Sequence, residues 1–438
     1  MNAASIIGLF ADLNLSEIAD CPFTSLSFFP KMSVMQLSAS NQLLDQLRRQ
    51  ELDAWTELVR HNSGLDNLRV DQITTNQIGT NQTRYELEVW GISDPLTLIG
   101  RETNSRESHF YNSIAPQLSD IVSRPWLNHW DVRESWLILP DAPHDRLPSE
   151  WQAGDVNEML TDMAMLHASH WGDKQRLFSY RWLPLLLGLN RKNQRSLHKR
   201  LSAEERGIVS EHALQSVQGL TNEWLLAAKG LRLLFDVEGW PGVIDERHLR
   251  IMADLLDDPL PMLFPLRELP LTLLHGYPGI YNWRVSVIGA RTLVDWQASA
   301  IGPGVWDLVT FLETFGLLHD KRMAWKVREN WPLAEETMID SYLLALSAEL
   351  GSAAQTRTLR HAIPAARCLY ILLTWLPRFH KWFHRLPADL TSRRQIWHAI
   401  NEYSETELAG TIYAPIAGLR PYLTETFNRF LKAYYQIS

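Results

Sequence analysis

Hydrophobic and polar positions follow two periods along this chain, and the period changes near residue 64 and again near residue 143. From Ser38 the apolar residues Leu43, Leu44, Leu47, Leu52, Trp55, Leu58 and Val59 recur near every 3.6 positions. That spacing predicts a helix stopping at His61-Asn62-Ser63-Gly64. The period then falls to two. Leu68, Val70 and Ile73 precede a polar loop at 74–82, Tyr85, Leu87 and Val89 follow it, and 96–99 is a further strand after a turn at 91–95. This predicts an antiparallel meander. A helix is expected at 106–118, with Phe110, Tyr111, Ile114 and Leu118 on one face, and a strand at 136–139.

Beyond Pro143 the helical period dominates. Asp155 caps a helix through Met159, Leu160, Met163, Leu166 and His167 to Trp171. Further helices are expected at 180–191, 203–236, 244–257, 306–318, 332–350, 356–376, 378–386, 389–404 and 420–436, with Pro377 breaking two of them apart. One β island interrupts this series at 271–308. There an apolar run, Leu271 to Leu274, meets a tight loop from His275-Gly276 to Asn282, and two short β-like runs, 285–288 and 292–294, flank Gly289-Ala290. Strands followed by helices predict an α+β fold. The expected domains are a helical N-terminal extension at 1–60, a β-rich lobe at 61–142 and a helical lobe at 143–438 carrying the insert 271–308.

Composition narrows the function. The chain has 438 residues, 45 % of them apolar and 21 % charged, enough to bury a sizeable core. Its 42 basic and 50 acidic residues give a formal net charge of −8 without a basic run, which argues against nucleic acid and against an anionic membrane surface as partners. No segment reaches the roughly 20 apolar residues of a membrane span, and the N-terminus lacks a basic run before its apolar residues. Cys21 and Cys368 lie far apart, so a reducing cytoplasm is the expected compartment. The 18 tryptophans predict an aromatic-rich core.

The β island carries the candidate chemistry. A polar loop between strands, edged by an amide and a carboxylate, can hold a hydrated Mg²⁺ and a phosphate. Four pieces occur in order: Met163-Ala164-Met165-Leu166-His167-Ala168 with Trp171; His275-Gly276 followed by Asn282; Leu293-Val294-Asp295-Trp296; and Gly302-Pro303-Gly304-Val305-Trp306-Asp307-Leu308. Together they resemble the protein-kinase-like fold and, more narrowly, the aminoglycoside phosphotransferase and choline kinase family, over roughly residues 60–430. The resemblance implies a two-lobe fold, ATP or GTP and Mg²⁺ as cofactors, and phosphoryl transfer to a small-molecule hydroxyl. It assigns Asn282 and Asp295 to the metal and His275 to support of the loop backbone; Asp307 itself reads as structural, capping or pairing within the helical lobe. Gly79, Thr80, Asn81, Arg101 and Glu107 become the nucleotide-side candidates. His167 reads as a packed helix residue.

Three departures shape the expected function. Where the family places a catalytic aspartate after His-Gly, this chain has Tyr277, a phenol with an ordinary pKa of about 10 and thus a poor base at neutral pH. The nucleotide-covering loop, 75–82, has one glycine, Gly79. The third strand has no lysine; Arg101 is the stand-in, and Glu107 pairs with Arg101 or Arg106. The expectation is therefore a degenerate, pseudokinase-like member that binds a nucleotide, a small molecule or a protein partner. The competing expectation is an active ATP-dependent phosphotransferase using Asn282, Asp295 and substrate-assisted deprotonation. A third is an old cleft repurposed for other chemistry, such as on a peptide.

Overall fold

A computed structural model describes residues 41–437, except 80, 119–120, 132–134, 143–145, 187–207, 218–219, 320–324, 329, 384–389, 404–406 and 409–413. The N-terminal extension before residue 41 and Thr80 thus lie outside the described residues. The fold is α+β, and the chain divides into two compact units. One holds the described residues up to Leu147 together with Tyr281–Ser299; the other holds Pro148–Ile280 and residues from Ala300 on. The dividing point falls inside the candidate loop, between Ile280 and Tyr281, so 281–299 group with the sheet and not with the helices.

The sheet unit opens with α1 (Asn41–Arg48) and α2 (Leu52–Ser63). The sequence predicted one helix here; the chain breaks it at Gln50, whose φ is +59°, and restarts at Glu51. The break lets α1 fold back so that Trp55 Nε1 donates to Leu47 O at 3.0 Å. Five antiparallel strands follow in the order β1-β2-β3-β5-β4: β1 (Arg69–Gly79), β2 (Gln82–Trp90), β3 (Leu96–Arg101), β4 (Leu127–Trp130) and β5 (Ser135–Pro140). The helix α3 (Ser105–Ser113) connects β3 to β4 and is capped by Asn104. It stops at residue 113, short of the expected 118, and a 3₁₀ turn at Ala115–Gln117 completes it.

Alternation gives the sheet two unlike faces. Tyr85, Leu87, Leu98, Trp136 and Ile138 point to a core shared with Leu44, Trp55 and Leu58. Gly100 lies on this face because a Cβ there would stand 2.7 Å from Tyr85 Cε2 and 3.1 Å from Trp136 Cζ2. The intervening residues, among them Arg84, Ile99, Arg101 and Leu139, occupy the opposite face.

The expected polar loop at 74–82 is not a loop. Thr75, Asn76 and Gln77 pair with Tyr85, Arg84 and Thr83, and Gly79 pairs with Gln82. The strand continues, with an irregularity at Ile78, because Thr74 and Thr75 are β-branched and pair with Glu86 and Tyr85. The short ladder β7 (Trp283–Val285) with β8 (Arg291–Leu293) completes the unit. Its strands start earlier than the runs expected at 285–288 and 292–294.

The helical unit contains α4 (Ala153–Ala168), α5 (Lys174–Ser179), α6 (Glu211–Ser216), α7 (Thr221–Asp236), α8 (Glu246–Asp257), α9 (Leu260–Arg267), α10 (Val305–Phe315), α11 (Glu335–Leu350), α12 (Thr356–Phe383), α13 (Leu390–Glu402), α14 (Ala414–Gly418) and α15 (Arg420–Ile437). Strands β6 (Leu271–Leu274) and β9 (Ala300–Pro303) pair within it. The helix expected at 180–191 is absent over its described part, where Leu185 instead bridges to Ile301. The break expected at Pro377 does not occur: α12 runs through Pro364 and Pro377. Its Leu369, Leu372, Trp375, Leu376, Phe379 and Phe383 are all buried, and that packing outweighs the hydrogen bond each proline removes, ~3 kcal/mol in an exposed helix.

Helix α10 is the hub of this unit. Glu313 is fully buried, and its two carboxylate oxygens accept from Arg367 Nε on α12 at 2.6 Å and from Arg429 Nη2 on α15 at 2.9 Å. Tyr422 donates to the Glu313 carbonyl.

Candidate functional site

The candidate residues fall into two groups, one in each unit. In the helical unit, β6 delivers the chain into His275-Gly276, and the buried Asp307 on α10 fixes the turn. Its Oδ2 accepts from the His275 amide at 2.7 Å and its Oδ1 from the Gly276 amide at 2.9 Å. Gly276 has φ +87°, a conformation costly for other residues. Its carbonyl accepts from Trp306 Nε1 at 3.1 Å. His275 is fully buried, and its Nδ1 accepts from the Tyr277 amide at 3.3 Å. Gly279 lets the loop close on α10, since a Cβ there would stand 3.2 Å from Thr314 Oγ1.

A second layer fixes Asp307. His167 Nε2 lies 3.3 Å from Asp307 Oδ2, and His167 Nδ1 lies 2.7 Å from the Tyr342 hydroxyl. With the carboxylate accepting, the proton sits on Nε2 and Tyr342 donates to Nδ1. Burial raises the Tyr342 phenol well above its ordinary pKa, so it stays a donor. Gly304 makes room for this pair, because a Cβ there would lie 2.7 Å from both His167 Nδ1 and the Tyr342 hydroxyl. Backbone, carboxylate and imidazole thus hold residue 277 in one place. The residue held there is Tyr277, half-buried and in electrostatic reach of the Tyr370 and Tyr422 phenols.

In the sheet unit, Arg101 ends β3 and pairs with the fully buried Glu107 on the first turn of α3. Of the two partners expected for Glu107, Arg101 is thus paired with it. Thr103 Oγ1 donates to Glu107 Oε2 at 2.8 Å, and the Trp296 amide donates to Glu107 Oε1 at 3.1 Å. Trp296 also stacks on Phe110 of α3, with centroids 4.0 Å apart and planes 10° from parallel. Asp295 precedes it in a left-handed conformation, φ +66°, with Oδ1 3.9 Å from Arg101 Nη2. Glu107 and Asp295 hold the Arg101 guanidinium firmly protonated despite its burial.

At the end of the β7–β8 ladder the Val294 amide donates to the Asn282 carbonyl at 2.9 Å, and Asp295 follows Val294 in the chain. Among the described residues no three His, Cys, Asp or Glu side chains gather as a metal site. A hydrated Mg²⁺ needs fewer, since one or two protein ligands plus water and phosphate oxygens serve it. Asp295 Oδ1 is buried without a hydrogen bond, which fits such an ion.

Of the remaining candidates, Gly79 pairs with Gln82 in the β1–β2 ladder. Asn81 Nδ2 donates to Glu102 Oε2 at 2.9 Å. Sequence reasoning missed the clamp that Asp307 provides; the only signal for it was its place in Trp306-Asp307-Leu308. It also missed the Arg84–Asp141 ion pair, whose members lie 3.0 Å apart.

No family model matches the chain, and no curated protein does either. Solved structures with some likeness include choline kinase from Cryptosporidium parvum Iowa II, at 12 % identity and TM-score 0.43 over 90 % of this chain and 95 % of that one. Plasmodium vivax ethanolamine kinase gives 11 % and 0.39 over 85 % and 97 %. An aminoglycoside phosphotransferase from Alicyclobacillus acidocaldarius gives 12 % and 0.38 over 84 % and 92 %. At these values the likeness assigns this chain no activity, and the functional argument rests on its own residues.

Proposed function

We propose that this chain is a kinase-like protein, a degenerate relative of the small-molecule phosphotransferases, that binds a phosphate-bearing ligand, ATP or GTP first among them, and does not transfer its phosphoryl group. The observation that carries the reading is Tyr277. Asp307, His275 and Trp306 fix the loop backbone, so the side chain at 277 is delivered to a set position. A phenol there does not accept a hydroxyl proton at neutral pH, and loss of a general base costs about 10²–10⁴ in rate.

The ligand half of the reading rests on the sheet unit. Arg101 is a fixed cation held by Glu107, suited to phosphate oxygens. Asn282 and Asp295 would hold Mg²⁺. The ion, when bound, neutralises phosphate charge. A reducing cytoplasm is part of the proposal and suits the buried free thiol of Cys368, whose pKa burial pushes up to about 12.

A second reading, an active phosphotransferase, is favoured by one observation, Asp295 3.9 Å from an Arg101 that is paired with Glu107. Thermal unfolding with ATP or GTP, with and without Mg²⁺, tests binding, because a ligand of the native state raises the midpoint. A rise is expected at millimolar nucleotide. No rise with either nucleotide contradicts both readings.

A further inference from the structure

We propose that β1 is a docking edge for a second copy of this chain, the two β1 strands pairing antiparallel about a two-fold axis at Thr74. This goes beyond the ligand-binding reading above and does not depend on it. β1 ends the strand order of its sheet, so one side of its backbone has no neighbouring strand among the described residues. Register decides which residues face that side. The Glu102 amide donates to the Asn81 carbonyl at 3.3 Å, and these two residues stand opposite one another where the β2–β3 register continues past Gln82 and Arg101. Bonded pairs alternate along an antiparallel ladder, so Thr83, Tyr85 and Leu87 turn their backbone groups to β3, while Arg84, Glu86 and Glu88 turn theirs to β1. Their partners Asn76, Thr74 and Gln72 are thereby bonded to β2, and Ile73 and Thr75 present N–H and C=O outward.

Val70, opposite Val89, points outward by the same alternation, and its amide donates to Thr56 Oγ1 of α2 at 3.0 Å. Helix α2 thus covers the start of the strand. Past it, no described residue is bonded to the outward groups of Ile73 and Thr75. Sheet edges are ordinarily protected by charge, proline or a bulge. Residues 72–79 carry no charge and no proline, and the register irregularities, at 70/72 and 77/79, fall on either side of the regular stretch 72–77. Thr74, Thr75 and Asn76 are exposed, and Ile73 is half-buried. Ile73, Thr74 and Thr75 are β-branched in succession, which suits an extended strand.

The pattern along this edge is its own complement, which identifies the occupant. With the axis at Thr74, Ile73 stands opposite Thr75 of the other copy, Thr74 opposite Thr74, and Gln72 opposite Asn76. Each Ile73–Thr75 pair exchanges both of its backbone hydrogen bonds. Hydroxyl meets hydroxyl and carboxamide meets carboxamide, combinations in which each side both donates and accepts. No like charges meet. Each copy has a formal net charge of −8, so two copies repel, and a neutral strand is where they approach at least cost. A peptide of another protein would use the same backbone groups but places no such demand on the side chains.

Sedimentation velocity of the full chain from about 1 to about 300 µM tests this. A pairing this short lies at the weak end of interfaces, and a monomer–dimer equilibrium in the tens of micromolar is expected. Thr75→Pro removes an outward N–H and no β1–β2 bond, so it should weaken the dimer about tenfold or more while far-UV circular dichroism stays unchanged. Thr74→Lys and Thr74→Glu each set like charges against one another across the axis, and each should be monomeric over this range. Mixed in equal amounts, the two should dimerise again, a recovery that a misfolded variant does not give. A parent that stays monomeric throughout overturns the inference, the outcome expected if another segment of this chain already occupies the edge. A dimer that Thr75→Pro and both Thr74 variants leave intact places the contact elsewhere and overturns it as well. Monomeric Thr74 variants that do not recover on mixing overturn the two-fold register.

Discussion

Asp307 shows how one buried side chain sets a functional loop. Its carboxylate accepts from two backbone amides and from His167, with no exposure to water. Asp307→Ala leaves those donors unpaired, and a loss of about 3–5 kcal/mol is expected in denaturant unfolding, the scale for breaking a buried ionic network. Arg101→Ala should cost a similar amount, since it strands the buried Glu107 carboxylate. His170 gives a pH-dependent counterpart. It is buried beside Ser169, and burial lowers its pKa to about 4. The unfolded chain therefore binds the proton more readily than the folded one, and stability present above about pH 6.5 is lost as pH falls toward 4, by roughly 3 kcal/mol in all. Urea unfolding from pH 7 to 4 should show a steeper loss for the parent than for His170→Asn; identical slopes would contradict this assignment. At this scale the sequence named Tyr277, His275, Asn282, Asp295, Arg101 and Glu107. The motif order made them visible, whereas Arg84 and Asp141 are 57 positions apart in the chain and meet only as an ion pair in the fold.

At the scale of elements, period predicted type better than extent. The helix at 41–63 was legible, but its break was not, because Gln50 carries no glycine or proline signal for its positive φ. The stretch 74–82 read as loop from its polarity. Polarity reports an exposed face, and β1 is an edge strand whose residues can be polar and extended at once. Pro377 failed as a stop because long-range packing on α12 was invisible locally. That packing is close: a Cβ on Gly230 of α7 would stand 1.9 Å from the Leu376 carbonyl oxygen of α12. Gly230→Ala must push the two helices apart, and despite the better helix propensity of alanine a net destabilisation of about 1–3 kcal/mol is expected in thermal or denaturant unfolding. A neutral or stabilising effect would show that the α7–α12 contact is slack.

For the whole molecule, the α+β order was legible because the change of period coincides with a change of architecture. The division of 271–308 between the two units was not, since nothing in the sequence marks the step from Ile280 to Tyr281. That division separates the two halves of the chemistry: the clamped Tyr277 belongs with the helices, and Asn282, Asp295, Arg101 and Glu107 belong with the sheet. The most direct test of the account is turnover of nucleotide γ-phosphate under conditions where binding has been measured, comparing the parent with Tyr277→Asp. The account predicts that the parent releases or transfers no phosphate above the buffer rate, and that the aspartate variant is no slower. A parent that turns over, and that Tyr277→Asp slows, would contradict it.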